Sequence, residues 1–386
     1  MAVLITNAEN HKALVVARSL GNKGIKVYCS SSEKFAPTFF SKYSKKNFMY
    51  ADPQENPQQF LNDIINIVKR YKPTVLMPVN LTEILLIAQN IKEFPSFVKF
   101  PFMDYKTIAE INDKLTLYKT AKSLNIRIPK TYEVKNKEEL FFLTKELKYP
   151  IVIKLRSGTG SKGISYVYDK NELMEKFMHT VSLYNLDSNN YPLIQEYVSG
   201  EGYGVSVLFD RGKLKAFFTH ARVREFPITG GPGTCRKSVR NIKIEKVTEQ
   251  IFSYLKWHGI AMAEFKYNSK TEEDYLIEIN PRIWGSINQA ICSGIDFPYL
   301  LYKMALGESF PEIKEYKMDK RTRFFFKDIC AIVSYIKKTK NLKLLLEIIK
   351  INISDDVLSI GDPLPSLFFI YRAFKEGILE RILNNN

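Results

Sequence analysis

The sequence predicts a mixed architecture: an α/β domain, then an α+β domain, then a basic, mainly helical C-terminal region. Three observations predict it. In the N-terminal part, short apolar runs alternate with helically spaced ones, the pattern of strand–helix–strand units and a parallel sheet. From about residue 150, strands instead follow one another across turns, as antiparallel hairpins do. The length, 386 residues, exceeds what one compact core serves and suits two or three domains.

Residues 2–6 (AVLIT) read as a buried strand, HKALVVARSL (11–20) as a helix ending at Gly21 and Gly24, and IKVYCS (25–30) as the next strand. Asn56-Pro57 opens a helix to Tyr71 with Phe60, Leu61, Ile64, Ile65 and Val68 on one face, and TVLMPVN (74–80) is a second buried strand. Thr82 is expected to cap a helix running to about Phe94. The first strand–helix turn, TNAENH, lacks the glycines that bring backbone close to a pyrophosphate, so no dinucleotide site is expected there.

A second region begins near Asp113. Helices over about 114–124 and 137–147 lead to IVIKLRSGTGSKGISYVY, two strands joined by a glycine-rich loop. LIQEYVSGEGYGVSVLF (193–209) and KLKAFFTHARV (213–223) continue as strands, and a helix spans about 243–257. IAMAEFKY (260–267) and YLIEIN (275–280) then form a hairpin across NSKTEED. From about Pro311 the chain is mostly helical and basic.

Hydrophobic residues at 45% and charged residues at 25% exclude wholesale disorder. No apolar stretch approaches the ~18–20 residues of a membrane-spanning helix. The start, MAVLITNAENHKAL, has no basic n-region or small-residue cleavage site, so a secretory signal is not expected. Cys29, Cys235, Cys292 and Cys330 lie far apart, giving neither a disulfide framework nor a thiolate zinc site. A cytoplasmic protein is expected. Lys and Arg outnumber Asp and Glu 57 to 41, a net +16 that favours anionic partners without choosing among them.

Two segments carry candidate chemistry. Gly158-Thr-Gly160-Ser-Lys162-Gly163 spells G-x-G-x-x-G, but a strand follows it where a dinucleotide or Walker site needs a helix. At a hairpin tip such glycines let backbone N–H groups close over phosphates, with Lys154 on the incoming strand in reach. The alternative for the loop taken alone is an ordinary flexible hairpin. The kinase motifs that would accompany such a loop are missing. In the 260–280 hairpin, Glu278 and Asn280 share a face, and a turn centred near Thr271 sets Glu264 opposite Glu278. Facing carboxylates destabilise a sheet unless something compensates. A hard cation such as Mg²⁺ would, as would solvation with Lys266 as a screen. Arg282 follows at once, suited to a developing transition-state charge.

Taken in order, Asn112-Asp113-Lys114, Ile153-Lys154 with its glycine loop, Gln195-Glu196-Tyr197-Val198, Glu264 and Glu278-Ile-Asn280-Pro-Arg282 resemble the ATP-grasp superfamily. ITGGPGT (228–234) and NPRIWGS (280–286) suggest its carbamoyl-phosphate-synthase-like branch of predicted carboligases. The resemblance implies a Rossmann-like pre-ATP-grasp domain over 1–111, a two-lobed ATP-grasp domain over 112–310 with a lid at about 115–195, and a helical extension over 311–386. It further implies that Lys114 and Lys154 meet nucleotide phosphates and that Ser157, Gly158, Gly160, Ser161, Lys162 and Gly163 form the mobile lid loop. Gln195 would meet the adenine amino group, with Glu196, Tyr197 and Val198 along the adenine edge. Glu264, Glu278 and Asn280 would hold Mg²⁺, as one or two ions and with Mn²⁺ as a substitute. Arg282, with Arg222, would serve the transition state. Where many members carry a ribose-binding glutamate this chain has Gly202, with Glu201 one place earlier on the opposite face.

The implied function is an ADP-forming carboxylate–amine ligase working through an acyl phosphate. Bicarbonate chemistry is the first alternative and a non-catalytic ATP-binding protein the second. Biotin attachment is not expected on this chain, which lacks the Met-Lys-Met motif. For the acceptor, Arg224, Gly230, Gly231 and Arg236 could cradle a carboxylate or phosphate, or belong to a surface loop. His220 and His258, without partners at ligand spacing, read as core or surface residues. The basic segment 320–343 either packs an apolar face on the ATP domain or lies on an anionic membrane at the cell's inner face. Nucleic acid is not an expected partner, and a homo-oligomer remains compatible with the sequence.

Overall fold

A computed structural model describes residues 1–158, 163–350 and 352–375. The N-terminal part contains β1 (Ala2–Ile5), α1 (His11–Asn22), β2 (Lys26–Ser31), β3 (Ser44–Met49), α2 (Pro57–Tyr71), β4 (Val75–Met77) and α3 (Leu81–Gln89). The strands form one parallel sheet in the order β3-β2-β1-β4. β1 is buried along its whole length and sits inside the sheet. β3 (SKKNFM) lies at the edge with its lysines in water, and that polar pattern hides it from hydrophobic periodicity. Phe60, Leu61, Ile64, Ile65 and Val68 of α2 are buried against the sheet. Such side chains contribute about 1.5–3 kcal/mol each when fully buried.

α3 starts at Leu81, earlier than a Thr82 cap would allow, and stops at Gln89. Its Asn80 makes no side-chain cap bond, because Asn80 Oδ1 accepts from Lys12 Nζ at 2.6 Å instead. α4 (Tyr105–Asn112) and α5 (Lys114–Ser123) follow.

A small sheet comes next, built from β5 (Thr131–Tyr132), β6 (Ile151–Lys154), β7 (Ser165–Val167) and β8 (Leu193–Glu196) in the order β5-β8-β6-β7. α6 (Lys137–Glu146) and α7 (Lys170–Leu183) pack on it around Leu140, Ile153, Leu173, Phe177 and Ile194. The expected continuous strand 193–209 is broken. β8 belongs to this sheet, while β9 (Glu201–Asp210) belongs to the next. Gly200 makes the crossing at φ +146°, where a Cβ would come within 2.7 Å of Tyr267 O.

The central sheet has seven strands. β10 (Lys213–Glu225), β11 (Gly233–Ser238), α8 (Ile242–Tyr254), β12 (Gly259–Asn268), β13 (Glu273–Asn280), α9 (Ile287–Ser293) and α10 (Phe297–Ala305) precede β14 (Arg321–Arg323), α11 (Phe325–Thr339), β15 (Ser354–Asp355) and α12 (Pro363–Lys375). The strand order is β13-β12-β9-β10-β11-β14-β15. The region after Pro311 is therefore not only helical, because β14 pairs with β11 and β15 with β14. Strands of three and two residues carry too little periodicity to be read from sequence.

α11 turns Cys330, Ala331 and Ile332 inward onto the sheet, while Lys327, Lys337 and Lys338 stay exposed. Of the two readings of segment 320–343, packing on the sheet is the one observed. α12 docks on the N-terminal part, with Phe368 stacked on Phe40 at 3.6 Å and Asp362 bound to Arg18 at 2.9 Å. Among the described residues no helix is long and apolar enough to cross a membrane.

Candidate active site

A cleft of about 1000 Å³ opens between the small sheet, the central sheet and the strand ends of the N-terminal part. Its floor is the β12–β13 hairpin. The observed register pairs Glu264 with Glu278 and Met262 with Asn280, with a shift just after Glu264. Asn280 donates from Nδ2 to Glu264 Oε1 at 3.1 Å and to Glu278 Oε1 at 3.3 Å, so its amide spans the two carboxylates. Arg282 donates to Asn280 Oδ1 at 2.7 Å, Arg222 binds Glu264 Oε2, and Lys114 Nζ stands 3.5 Å from Glu278 Oε2.

Burial raises the Glu264 carboxyl above its usual range, with Arg222 opposing and Glu278 adding to the rise. Burial also pushes Glu278 upward, but Lys114, Lys154 and Arg282 outweigh it and hold this carboxyl below the usual range. The cations around Glu278 thus favour its charged form more strongly than Arg222 favours that of Glu264. Among the described residues no three His, Cys, Asp or Glu side chains converge as a metal site. The hairpin offers two carboxylates, and Asn280 Oδ1, which here accepts from Arg282, would complete an oxygen set that suits a hard cation taking its other ligands from phosphate and water. These residues fit Mg²⁺.

Lys154 ends β6 in a buried position, its ammonium 5.4 Å from the ring of Tyr118, whose hydroxyl donates to Ile277 O at 2.7 Å. Burial lowers the Lys154 pKa to about 8, against the pull of Glu278 and Glu264. Lys114 opens α5 behind the cap Asp113, which Arg156 holds at 2.9 Å. Lys114 N also donates to Arg156 O at 2.9 Å, tying the helix start to the glycine loop's incoming strand. Gly158 lines the cleft, while Ser157 precedes it without lining it. Gly163 closes the loop at φ +69°, where a Cβ would fall 2.4 Å from Leu155. Gly160, Ser161 and Lys162 lie outside the described residues.

Gln195 is buried and gives its amide N–H to Thr131 Oγ1 at 2.8 Å, leaving Oε1 as an acceptor. Glu196, Tyr197 and Val198 continue along the same wall. Arg222 and Gly230 also line the cleft, and Gly231 O accepts from Arg222 Nη1 at 3.2 Å.

Three expected residues lie elsewhere. Arg224 is buried in a two-pronged pair with Asp328, at 2.9 and 2.7 Å. Arg236 is buried against Asp356, at 2.8 and 2.7 Å. Neither guanidinium lines the cleft, because the C-terminal region supplies each with a carboxylate. Glu201 is exposed, near Tyr203 OH, and does not line the cleft. At position 202 a Cβ would strike Arg222 at 2.7 Å, so glycine there makes room for that guanidinium. His220 is buried with Nε2 3.2 Å from Ser286 Oγ, its pKa lowered to about 3 by burial and by Arg236 and Arg222. His258 sits beside Asp210 at 3.3 Å, away from the cleft.

Sequence reading missed His11, Lys12 and Asn80 of the N-terminal part and Lys327 and Lys338 of α11, all lining the cleft. The only signal for the first three is their position just after strands of a parallel sheet, where ligands of such sheets bind.

The family comparison matches residues 111–286 to the ATP-grasp domain. The chain contains an ATP-grasp domain. Its fold, with mixed helix and strand content, is that of the solved biotin carboxylase domain of the Hydrogenobacter thermophilus 2-oxoglutarate carboxylase, in complex with MgADP, ADP and bicarbonate. The TM-score is 0.69 at 17% identity, covering 83% of this chain and 73% of that one. By sequence the chain is 24% identical over 245 residues to the carbamoyl phosphate synthase large chain of Clostridium acetobutylicum, covering 61% of this chain and 22% of that protein. It is 26% identical over 178 residues to the D-alanine–D-alanine ligase of Anaplasma marginale (strain Florida), covering 44% of this chain and 51% of that protein. The chain thus spans about a fifth of the first relative and half of the second. The cleft floor, from Lys114 to Arg282, falls within the matched ATP-grasp segment.

Proposed function

We propose that the chain is an ATP- and Mg²⁺-dependent ligase that activates a carboxylate as an acyl phosphate and joins it to an amine. The observation that carries this reading is the half-buried Glu264–Glu278 pair, ringed by Lys114, Lys154, Arg222 and Arg282 on the floor of an ATP-grasp cleft. A relative whose name is that of a ligase adds support. On this reading residues 1–111 are the pre-ATP-grasp domain, 112–310 the ATP-grasp domain with its lid at about 115–195, and 311–386 a C-terminal extension.

Lys154 and Lys114 meet the phosphates, with the loop from Ser157 to Gly163 closing over them. Gln195 Oε1 accepts from the adenine amino group beside the backbone of Glu196 and Val198. Glu264, Glu278 and Asn280 would hold Mg²⁺, whose charge would neutralise the polyphosphate. Arg282 and Arg222 face the transferring phosphoryl group. Such transfer needs positioning and charge neutralisation more than covalent help from the protein. A substrate carboxylate oxygen bonds to the γ-phosphorus while the bond to ADP breaks. The amine then attacks the acyl carbon, loses a proton, and phosphate leaves with the former carboxylate oxygen.

The test is positional. With ¹⁸O-labelled carboxylate, ADP and one labelled phosphate should appear together. AMP as product overturns the mechanism, and ADP without label from any organic carboxylate moves the reaction to bicarbonate.

The buried amine of Lys154 adds a second expectation. Phosphate favours its charged form, so affinity for ATP is full below about pH 8 and falls as the free protein's amine deprotonates above it. The loss approaches about tenfold per pH unit if only the ammonium binds. Calorimetric titration from pH 7 to 9.5 should show proton uptake on binding, and Lys154→Met should erase that alkaline limb. An unchanged limb in the variant removes Lys154 from the phosphate site.

A further inference from the structure

The N-terminal sheet winds one way from β1 through β2 to β3 and then returns to place β4 on the other side of β1. Loops leaving β1 and β4 therefore part, and a crevice opens at their carboxyl ends. Asn10 and Lys12 come from the first loop and its helix, Asn80 from the second, and all three line the cleft.

Lys12 is only 6% exposed. Its Nζ donates to Asn80 Oδ1 at 2.6 Å and to Ile283 O at 3.4 Å, both neutral acceptors. The nearby carboxylates are engaged elsewhere: Glu83 with Asn7 Nδ2 at 2.5 Å, Glu9 with Ser31 Oγ at 2.6 Å. Among the described residues no carboxylate stands within ion-pair distance of Lys12. Glu83 and Glu9 favour its charged form from beyond ion-pair distance, and Arg282 opposes it. Burial first, then Arg282, pushes its pKa well below the ordinary value. His11, which donates from Nε2 to Gly285 O, is kept neutral by burial down to about pH 3, and Lys327 reaches the same cleft from α11. The first turn of α1 contributes the positive end of a helix dipole. Burying an ammonium without a counter-charge is costly, and an anionic ligand beside Lys12 would supply that charge and favour the protonated amine.

We propose that Lys12, flanked by Lys327 and the start of α1, binds a second, non-reacting oxyanion of the substrate, a carboxylate or a phosphate. The site lies outside the segment matched to the ATP-grasp domain, and Ile283 O links it to the strand end that carries Arg282. This deepens the ligase reading and rests on it: the substrate carries at least two anionic groups, one activated near Arg282 and one anchored at Lys12.

The full chain is given MgATP, hydroxylamine as trapping amine, and butanoate, succinate or 3-phosphonopropanoate. The KM for succinate or 3-phosphonopropanoate should be at least tenfold below that for butanoate, and the better of the two identifies the anchored group. Lys12→Gln should bring the ratio to within twofold of one, and Lys12→Arg should restore part of it. A ratio unchanged in Lys12→Gln overturns the proposal while leaving the ligase standing. A separate arm titrates inorganic phosphate and succinate into the protein loaded with MgADP. Binding lost at least tenfold in Lys12→Gln, with no turnover of any carboxylate, keeps the anion site and sinks the ligase reading. Equal binding in both proteins overturns the site. Should Lys12→Gln not fold, Lys327→Gln on the exposed flank carries the test. A KM rise confined to the doubly charged substrates supports the site, and equal KM values overturn it.

Discussion

Glu278→Gln is expected to lower ATP turnover at least ~10²–10³-fold, the scale of removing one preorganised electrostatic group from an active site. The change keeps shape and removes charge. It deprives Lys114, 3.5 Å away, and the buried Lys154 of their shared counter-charge, so the Lys154 pKa drops further still. Loss of turnover should not come with loss of fold, because glutamine also ends the repulsion with Glu264 across the hairpin. ADP formation and the thermal unfolding curve, measured on the same preparation, check both halves. Turnover within threefold of the parent protein removes Glu278 from the site.

Asp356→Ala is expected to destabilise the protein by about 3–5 kcal/mol, since it leaves the buried Arg236 guanidinium without its partner. The pair joins β11 to the segment after β15, so the C-terminal region should come away from the sheet first. Differential scanning calorimetry should show a lowered first transition, and hydrogen exchange should rise across β14 and β15. Replacing both partners by apolar residues, as Arg236→Met with Asp356→Leu, should recover most of the loss. An unchanged melting curve in the single variant contradicts the anchoring role.

Much of the site's floor was legible because it depends on local geometry. Strand alternation and one turn set Glu264 against Glu278, and that register is present. The glycine-rich stretch offered Arg224 and Arg236 either to an acceptor or to a surface loop, and neither holds, because their partners Asp328 and Asp356 lie 104 and 120 residues further on. A guanidinium in a glycine-rich stretch reads alike whether it faces a ligand or a carboxylate from a distant helix. Lys12 was illegible for the opposite reason. In sequence it looks like a solvated lysine in an amphipathic helix, and only the approach of Asn80 and Ile283 buries it. Gly202 is a further case: a departure from the family's usual residue is explained by the Arg222 side chain lying across it.

The late pairing of β14 with β11 bears on how the protein is made. Lys320 N reaches Ser238 Oγ across 82 residues of sequence, so the outer edge of β11 has no neighbour until that stretch leaves the ribosome. At ~5–20 residues per second the wait is on the order of ten seconds. Throughout it a half-built sheet presents open backbone donors and acceptors to any other nascent chain. Two of the strand's side chains, Arg236 and Lys237, are cationic, and before their carboxylate partners arrive like-charge repulsion between neighbouring copies would hinder pairing at that edge. The residues that later lock the sheet can thus also guard it while it is incomplete.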